Sequence, residues 1–344
     1  MNDIIVENLP SDKAQEWDAY VKKHAEGTFF HLSGWRQVLE HGLGHKTHFL
    51  YAQVDNKTVG VLPLGHVKSF LFGNTLCSIP FGVYGGVLAD SEVIASTLIE
   101  KAIEIATSLN VDVLEFRNQG AKQTGWESKE LYVTFRKAIS ENDEENMLAI
   151  PRRQRAMVRK GIKAGLRSVV DSDLDVFYKA YSESVRNLGT PVFPKKYFQA
   201  LLDVFHKDLD ILTVYSEDNE LVASVLSFYY KDEVLPYYAG GSVLARNLKG
   251  NDFMYWSLMC HAVTKGVRVF DYGRSKIGTG SYSFKKNWGF EPKEMGYSYK
   301  LIKAKEVPEI NPMNPKYQLF IKLWKKLPLS VANFIGPYLA RNLG

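Results

Sequence analysis

The sequence predicts an α/β (α+β) chain in which one domain, a mixed central sheet flanked by helices, occurs twice in tandem. Residues 48–67 and 210–229 each read as an apolar strand, an Asp-Asn turn and a second apolar strand, the pattern of a β-hairpin. Farther along each half, apolar residues recur at helical spacing over 91–110 and 251–266. Each of these helices leads into a short apolar strand with a charged end. The shared order of hairpin, helix and strand indicates a duplicated domain.

The elements around these repeats give the expected domain boundaries. A helical segment precedes each hairpin, at 12–24 and 173–188, and the two charged strand ends read LEFRNQ and FDYGRS. We therefore expect a first domain over 1–150, a second domain over 151–310 and a C-terminal tail over 311–344.

Bulk composition excludes several classes of protein. The 344 residues are 45% hydrophobic and 13% aromatic, which suits packed cores and excludes a disordered or collagen-like chain. Cys77 and Cys260 lie in no metal or redox spacing, and the N-terminal residues contain acids and no long apolar run. We therefore expect reduced thiols, no signal peptide and a cytoplasmic location. No window is long and apolar enough for a spanning helix.

The net charge of +5 is a property of the tail. From Asn311 onward the chain has five basic and no acidic residues, and the remainder has 38 basic against 38 acidic residues. A general nucleic-acid binder is therefore not indicated. Apolar residues, including Trp324, alternate with the tail lysines, which suits peripheral contact with a membrane surface; the alternative is a helix docked on its own domain. The five basic residues are Lys316, Lys322, Lys325, Lys326 and Arg341.

The segment between the two repeats changes from acidic to basic. Ser140 or Asn142 is expected to cap a helix with an acidic first turn, and Pro151 suits the start of a second helix. Four cations follow at i, i+3, i+7 and i+11, which places them along one helical stripe, and no acid lies between Pro151 and Val170. The stripe is either a solvated linker face or a site for an anionic ligand or partner. Its members are Arg152, Arg155, Arg159 and Lys163.

A second concentration of basic residues follows the last strand of the second repeat. Residues 270–290 read FDYGRSKIGTGSYSFKKNWGF, so the strand runs directly into glycines, hydroxyls and lysines. Arg274, Lys276 and the backbone of Gly278 and Gly280 are expected to cradle an anion. The segment is not a Walker loop, because no Lys-Ser/Thr pair follows its later glycine.

Three segments give the chain a resemblance to a known family. FDYGRSKIGTGSYSFKKNWGFEP (270–292), RRQRAMVRKG (152–161) and IPFGVYGGVLAD (79–90), in this tandem organisation, resemble the Fem-type transferases, which have two acetyltransferase-like (GNAT) domains. The likeness covers nearly the whole chain and is strongest to the FemAB-related proteins of bacterial exopolysaccharide and PEP-CTERM systems. It implies an acyltransferase that acylates an amine of a cell-envelope or exopolysaccharide precursor, either a small molecule or lipid-linked.

The resemblance also implies roles for individual residues. In this fold two central strands separate to hold the donor, here 235–242 and 267–273. Phe284 and Lys285 match a Phe-Lys pair beside the reacting ester, so Lys285 is expected to bind phosphate or polarise the carbonyl, and Phe284 to stack on a base or wall the pocket. Asp271 either accepts the amine proton or pairs with Arg274. Further substrate contacts are expected from Tyr84, Arg152, Arg155, Arg159, Arg274, Lys276, Gly278, Gly280 and Tyr282.

The donor stays open between acyl-CoA and aminoacyl-tRNA, and no tightly bound cofactor is expected. The acyl-CoA loop of GNAT enzymes, (Gln/Arg)-x-x-Gly-x-(Gly/Ala), falls on 244–252, where Gly250 matches and Asp252 would repel a pyrophosphate. Studied Fem enzymes take an aminoacyl group from tRNA, which the basic stripe would suit. The chain lacks the long coiled-coil insertion that some cell-wall Fem enzymes carry.

Two further alternatives concern what kind of protein this is. One is an aminoacyl-tRNA-dependent peptidyltransferase of the peptidoglycan type. The other is a non-catalytic module that keeps the fold to recognise a polysaccharide precursor. His41 and His45 have the i, i+4 spacing of metal ligands, but no third ligand is evident, so no metal site is expected.

Overall fold

The computed structural model describes residues 3–70, 72–308 and 315–343. Residues 311–314 of the expected tail lie outside this description. The strands are β1 (Ile5–Asn8), β2 (Lys46–Val54), β3 (Lys57–Ser69), β4 (Gly73–Ser78), β5 (Leu88–Ala89), β6 (Val113–Asn118), β7 (Glu127–Ser128), β8 (Tyr132–Ala138), β9 (Arg167–Asp171), β10 (Leu209–Tyr215), β11 (Leu221–Tyr230), β12 (Glu233–Gly241), β13 (Val269–Lys276), β14 (Pro292–Glu294) and β15 (Gly296–Leu301).

The helices connect these strands and close the chain. They are α1 (Ala14–Lys23), α2 (Gly34–Gln37), α3 (Glu92–Ser108), α4 (Asp143–Ala149), α5 (Arg152–Lys163), α6 (Leu174–Leu188), α7 (Lys195–Phe205), α8 (Val243–Leu248), α9 (Gly250–Thr264), α10 (Gly280–Asn287), α11 (Pro315–Trp324) and α12 (Leu329–Ala340). Short 3₁₀ turns form at Ser11–Lys13 and Phe29–His31, and a π-helical turn at Val38–Leu43. In the part of the chain that the structure describes, every helix is too short or too polar to cross a membrane.

The chain folds into two units, each with its own sheet. Unit 1 comprises Met1–Glu130, Met295–Asn311 and Arg341–Gly344, and unit 2 comprises Leu131–Glu294 and Pro312–Ala340. The sheet of unit 1 has the order β1-β2-β3-β4-β6-β15-β7, with β5 on β3, and the sheet of unit 2 has the order β14-β8-β13-β12-β11-β10-β9. Each sheet therefore includes a strand from the other side of the expected boundary at residue 150. Strand β8, which precedes the boundary, pairs with β13 in unit 2, and β15, which follows it, pairs with β6 in unit 1.

The repeated elements predicted from the sequence are present in both units. The hairpins are β2–β3 and β10–β11, the helices are α3 and α9, and the charged strands are β6 and β13. Both sheets are mixed, because β4 runs parallel to β6 and β12 runs parallel to β13 among otherwise antiparallel pairs. These features confirm the predicted fold class of two α/β domains in tandem.

Local chemistry explains several element ends. Asp55 and Asn56 take φ values of 49° and 59°, the left-handed region that a tight hairpin turn needs and that Asp and Asn tolerate. Asn142, one of the two caps expected, accepts the backbone N–H groups of Glu144 and Glu145 at the start of α4. Asp173 caps α6 in the same way.

The core of unit 2 lies on both faces of its sheet. On one face Met254 and Leu258 of α9 are buried with residues of β11, β12 and β13. On the other face, the ring of Tyr238 in β12 packs against the rings of Tyr181 and Phe198, with distances between ring centroids of 5.7 and 5.2 Å. Gly240 lets α6 approach this strand closely, because a Cβ at this position would lie 2.5 Å from the backbone of Ala180 and Tyr181. In unit 1, α3 covers its sheet through Leu98 and Ala102 in the same manner.

We expect Gly240→Ala to destabilise unit 2, because its methyl group meets backbone that cannot move aside without displacing α6. Overpacking of this kind costs about 1–3 kcal/mol, measured as the change in unfolding free energy in urea. Gly280→Ala is the matched control, since a Cβ there meets nothing within 4 Å. Equal stability of the two variants would contradict the close approach of α6 to β12.

Candidate functional site

Strands β12 and β13 separate soon after they begin. Their parallel pairing consists of Glu233 with Val269 and Val234 with Phe270, although both strands continue for several residues beyond. From Leu235 onward, β12 is therefore no longer paired with β13. This separation was expected from the family resemblance, and it opens a gap in the sheet towards the C-terminal end of β12.

A cavity of about 720 Å³ lies at the end of β12. Its wall includes Gly241, where β12 ends, and residues of α5, α6, α8, α9 and α10. The polar part of the wall contains two cations and one carboxylate, and the apolar part contains one aromatic ring and one methionine. These five residues are Arg246, Lys249, Asp252, Phe284 and Met157.

Asp252 brings a negative charge to the beginning of α9. Its Oδ1 accepts hydrogen bonds from the Gln154 side chain and from Trp288 Nε1, the latter at 3.3 Å. Within the described residues, no donor reaches Oδ2. Burial raises the pKa of Asp252, and the hydrogen bonds from Gln154 and Trp288 and the charge of Lys249 oppose that shift. Because the positive end of the helix dipole also favours a carboxylate here, the site holds a fixed anion that suits a cationic ligand group.

Lys285 is buried and bonded entirely to backbone. Its Nζ donates to the carbonyl oxygens of Tyr272, Gly273 and Arg274 at 2.6, 3.0 and 3.0 Å. An ammonium group has three hydrogens, so this arrangement leaves none for a phosphate or a substrate carbonyl, the roles expected for Lys285. Burial lowers the pKa of Lys285 to about 7. The side chain therefore fixes the edge of β13 where that strand has left β12.

Asp271 holds the same stretch of β13 from within the core. It is fully buried, its Oδ1 accepts the Gly273 N–H at 2.7 Å, and its Oδ2 lies 3.6 Å from Arg136 Nε. Gly273 has a φ of 62°, and the register with β8 shifts between Asp271 and Arg274. Asp271 and Lys285 thus stabilise a bulge in β13. The arginine beside Asp271 is Arg136 on the neighbouring strand β8, which the sequence did not single out, whereas the guanidinium of Arg274, the expected partner, lies over the Tyr132 ring.

The sequence of this region matches a known domain family. Residues 152–286 match the family described as acetyltransferase (GNAT) domain, which covers the basic helix, the separated strands and α10. Over 256 residues the chain is 26% identical to a lipid II:glycine glycyltransferase of Staphylococcus aureus, a match that covers 64% of this chain and 60% of the length of that relative. These similarities support an acyltransferase.

Solved structures extend the likeness to both units. A structure of FemX has a TM-score of 0.68 at 17% identity and covers 92% of this chain and all of its own. A tandem GNAT protein from the clavulanic acid biosynthesis pathway has a TM-score of 0.57 at 10% identity and covers 88% of this chain and all of its own. Together with the two mixed sheets, these similarities show the tandem GNAT-like fold.

The other expected contacts within residues 152–286 divide between the cavity wall and the segment from the end of β13 to the start of α10. Phe284 lines the cavity, where its ring lies 5.5 Å from the Tyr255 ring. Tyr282 packs on Phe135 at 5.5 Å, and the Arg274 guanidinium stacks over Tyr132 at 4.9 Å. Among the described residues, the wall of this cavity includes none of Arg274, Lys276, Gly278 and Gly280. Arg274 and Lys276 lie in the last part of β13, Gly278 lies in the turn that follows, and Gly280 begins α10. The space around both glycines is open.

Some residues of helix α5 pack against the protein, and others border a groove. Gly161 allows it to pack on Phe253 of α9, and Gln154 reaches Asp252. Arg155 donates to the carbonyls of Leu148 and Ile150, so this member of the stripe anchors α5 to α4. The described residues include no ion-pair partner for the other three, which border a groove of about 500 Å³: Arg152, Arg159 and Lys163.

Tyr84 lies in unit 1 and is part of its core. The side chain is 1% exposed, and its ring meets the Phe30 ring edge-on at 6.2 Å. The adjacent Gly85 borders a separate cavity of about 660 Å³, which also includes His31 and Asn118. Burial lowers the pKa of His31 to about 3, so this imidazole is neutral. Across the described ranges, no three His, Cys, Asp or Glu side chains are grouped as a metal site.

Sequence reasoning did not single out most of the cavity wall. Arg246 and Lys249 lie within residues 244–252, the segment compared with the acyl-CoA loop, and Met157 lies in α5. That comparison pointed to Asp252, and the family resemblance pointed to Phe284.

We expect the lowered pKa of Lys285 to make stability depend on pH. A free lysine keeps its proton up to its ordinary value of 10.5, whereas folded Lys285 loses it near 7. Between these values the unfolded chain binds more protons, so raising the pH stabilises the fold. The unfolding free energy of the native chain relative to Lys285→Met should therefore rise from pH 7 to pH 10. A difference that stays constant over this range would contradict the assignment.

Proposed function

We propose that this chain is an N-acyltransferase that transfers an aminoacyl group from an aminoacyl ester to an amine of a cell-envelope precursor. The amine nitrogen forms a bond to the carbonyl carbon, the ester C–O bond breaks, and the alcohol leaves with the proton that the amine gives up. Support comes from the GNAT match and from the similarity to a lipid II:glycine glycyltransferase.

The observation that carries the donor assignment is the charge of the cavity at the end of β12. Asp252 offers Oδ2 to a cation, and Arg246 and Lys249 offer two positive charges on the same wall. An aminoacyl ester at the end of a nucleic acid carries both an ammonium group and phosphates, so it complements this wall. Acyl-CoA has no ammonium group for Asp252, and its pyrophosphate would be repelled by the carboxylate.

The separated strands supply the polar groups that the reaction needs. Backbone N–H groups on the free edge of β12 are donors for the oxygen that becomes negative as the carbonyl turns tetrahedral. Phe284 walls the donor pocket. Lys285 and Asp271 act as positioning residues, because both bind the backbone of β13 and neither side chain is free to reach a substrate.

We further propose that tRNA carries the donor and that α5 binds it. The three unpaired cations of the stripe lie on the helix whose Met157 and Gln154 reach the donor cavity and Asp252. Phosphates along the exposed face of α5 would lead to an aminoacyl end in the cavity. This arrangement supports the aminoacyl-tRNA-dependent alternative over a plain acyl-CoA enzyme.

For the acceptor we propose a lipid-linked amine, and for the chain a cytoplasmic location. The relative named for lipid II supports this class. The resemblance to exopolysaccharide-associated proteins supports an amine-bearing exopolysaccharide precursor as the alternative acceptor.

The first test uses a CCA oligonucleotide that carries glycine through a stable 3′-amide. We expect the native chain to bind it roughly 10- to 100-fold more tightly than its N-acetylated form, because a hydrogen bond to a charged group contributes about 1.5–3 kcal/mol. Asp252→Asn should abolish that preference, and Asp218→Asn, on an exposed turn, should keep it. Binding is measured by titration calorimetry.

Two outcomes would overturn parts of the proposal. Binding of acetyl-CoA with no binding of the oligonucleotide would make this an acyl-CoA enzyme. If the native chain binds the oligonucleotide but forms no amide with glycyl-tRNA and an amine acceptor of either class, the non-catalytic binding module is the correct alternative.

A second test addresses the stripe on α5. The double variant Arg159→Gln, Lys163→Gln should weaken tRNA binding and reduce the slope of log affinity against log salt by about one to two units. Lys22→Gln, Lys23→Gln on α1 removes the same charge from unit 1 and should leave the slope unchanged. Equal slopes for the two double variants would rule out α5 as the tRNA contact.

A further inference from the structure

The two C-terminal helices bury one face against unit 2. Trp324 of α11 is 4% exposed, and Ile321 closes over Gly189 at the end of α6. In α12, Asn333 donates to Ser182 at 3.4 Å, and Gly336 lies against Val192. Ala332 and Ala340 are 1% exposed. The tail therefore packs on its own domain, which is one of the two alternatives that the sequence left open.

The opposite face of these helices is apolar and exposed. In α12, Val331, Phe334, Ile335 and Tyr338 recur at i, i+3, i+4 and i+7, which aligns them in one stripe. Phe334 is 74% and Tyr338 66% exposed. Of the seventeen large apolar side chains exposed in the described ranges, seven belong to α11 and α12. Exposed apolar residues are normally scattered, so a concentration of this kind marks an interaction surface. The seven are Leu319, Phe320, Leu323, Val331, Phe334, Ile335 and Tyr338.

The charge around this apolar face favours one kind of binding partner over another. Lys322, Lys325 and Lys326 are exposed beside it, and no acidic residue occurs from Asn311 to the end of the chain. A second copy joined through the same face by two-fold symmetry would bring these lysines near one another with no acid to pair with them. An anionic lipid surface satisfies both features, because headgroups attract the lysines and the acyl boundary accepts the apolar side chains.

We propose that the exposed face of α11 and α12 binds the surface of an anionic phospholipid bilayer. The helices lie in the interface without crossing it, with the small residues of α12 held against unit 2 and the large ones in the lipid. Such a position would keep the transferase in the plane where lipid-linked acceptors diffuse, a consequence that rests on the proposed function. The binding itself stands independently of the donor and of the reaction.

The test is flotation of the full chain with vesicles of phosphatidylcholine containing 30% phosphatidylglycerol, and with vesicles of phosphatidylcholine alone. We expect binding to the anionic vesicles and much weaker binding to the neutral ones. The triple variant Leu323→Gln, Phe334→Gln, Tyr338→Gln should lose at least tenfold in partitioning. Phe70→Gln, which changes a fully exposed phenylalanine of unit 1, should bind as the native chain does.

A second triple variant separates charge from apolar contact. Lys322→Gln, Lys325→Gln, Lys326→Gln should lose about a hundredfold in affinity for anionic vesicles at low salt, since each lysine near such a surface contributes about fivefold. All variants should keep the native melting temperature, because the altered side chains are exposed. They should also keep the preference for the aminoacylated oligonucleotide, which separates this test from that of the proposed function.

Three results would overturn the proposal. The first is that the native chain binds neither kind of vesicle, and the second is that the apolar triple variant binds as well as the native chain. The third is a concentration-dependent dimer, seen by sedimentation, that the apolar triple variant abolishes without any change in vesicle binding. That result would assign the face to a second copy of the chain.

Discussion

The candidate site depends on the early end of the parallel pairing between β12 and β13. Two residue pairs hold these strands together, and beyond them the strands follow separate courses. If the ladder continued to Gly241, this edge of β12 would be occupied along its whole length. Helices α5, α6, α8, α9 and α10 each contribute to the wall of the cavity at the end of β12, so five helices of the chain converge there.

Keeping the strands apart requires buried polar groups in β13. Asp271 and Lys285 fix the bulge by binding backbone N–H and C=O groups that would otherwise lack partners in the core. Burying charges is unfavourable by itself, and here Lys285 loses much of its basicity while Arg136 supports Asp271. The sequence segment that looked most like an anion site thus contains two charged residues whose bonds are directed into the protein.

The sequence predicted periodic features well and side-chain direction poorly. Hairpins, α3 and α9 follow from apolar spacing and turn residues, which are local properties, and the separated strands were expected from the family resemblance. The sequence could not show that Arg155 would bond to the end of α4 while Arg159 stays free, because both lie on the same stripe. Nor could it show that β15 would leave the second repeat for the sheet of unit 1, since strand pairing depends on residues far apart in the chain.

The exchange of β8 and β15 has a consequence for the order in which the protein can form. Strand β6 lies between β4 and β15, yet β15 follows it by about half of the chain. A ribosome must therefore release nearly all of the second half before the sheet of unit 1 can close. Until then β6 presents an unpaired edge of the kind that invites association between chains. The nascent N-terminal half is for this reason an incomplete domain, although its sequence has every other element of one.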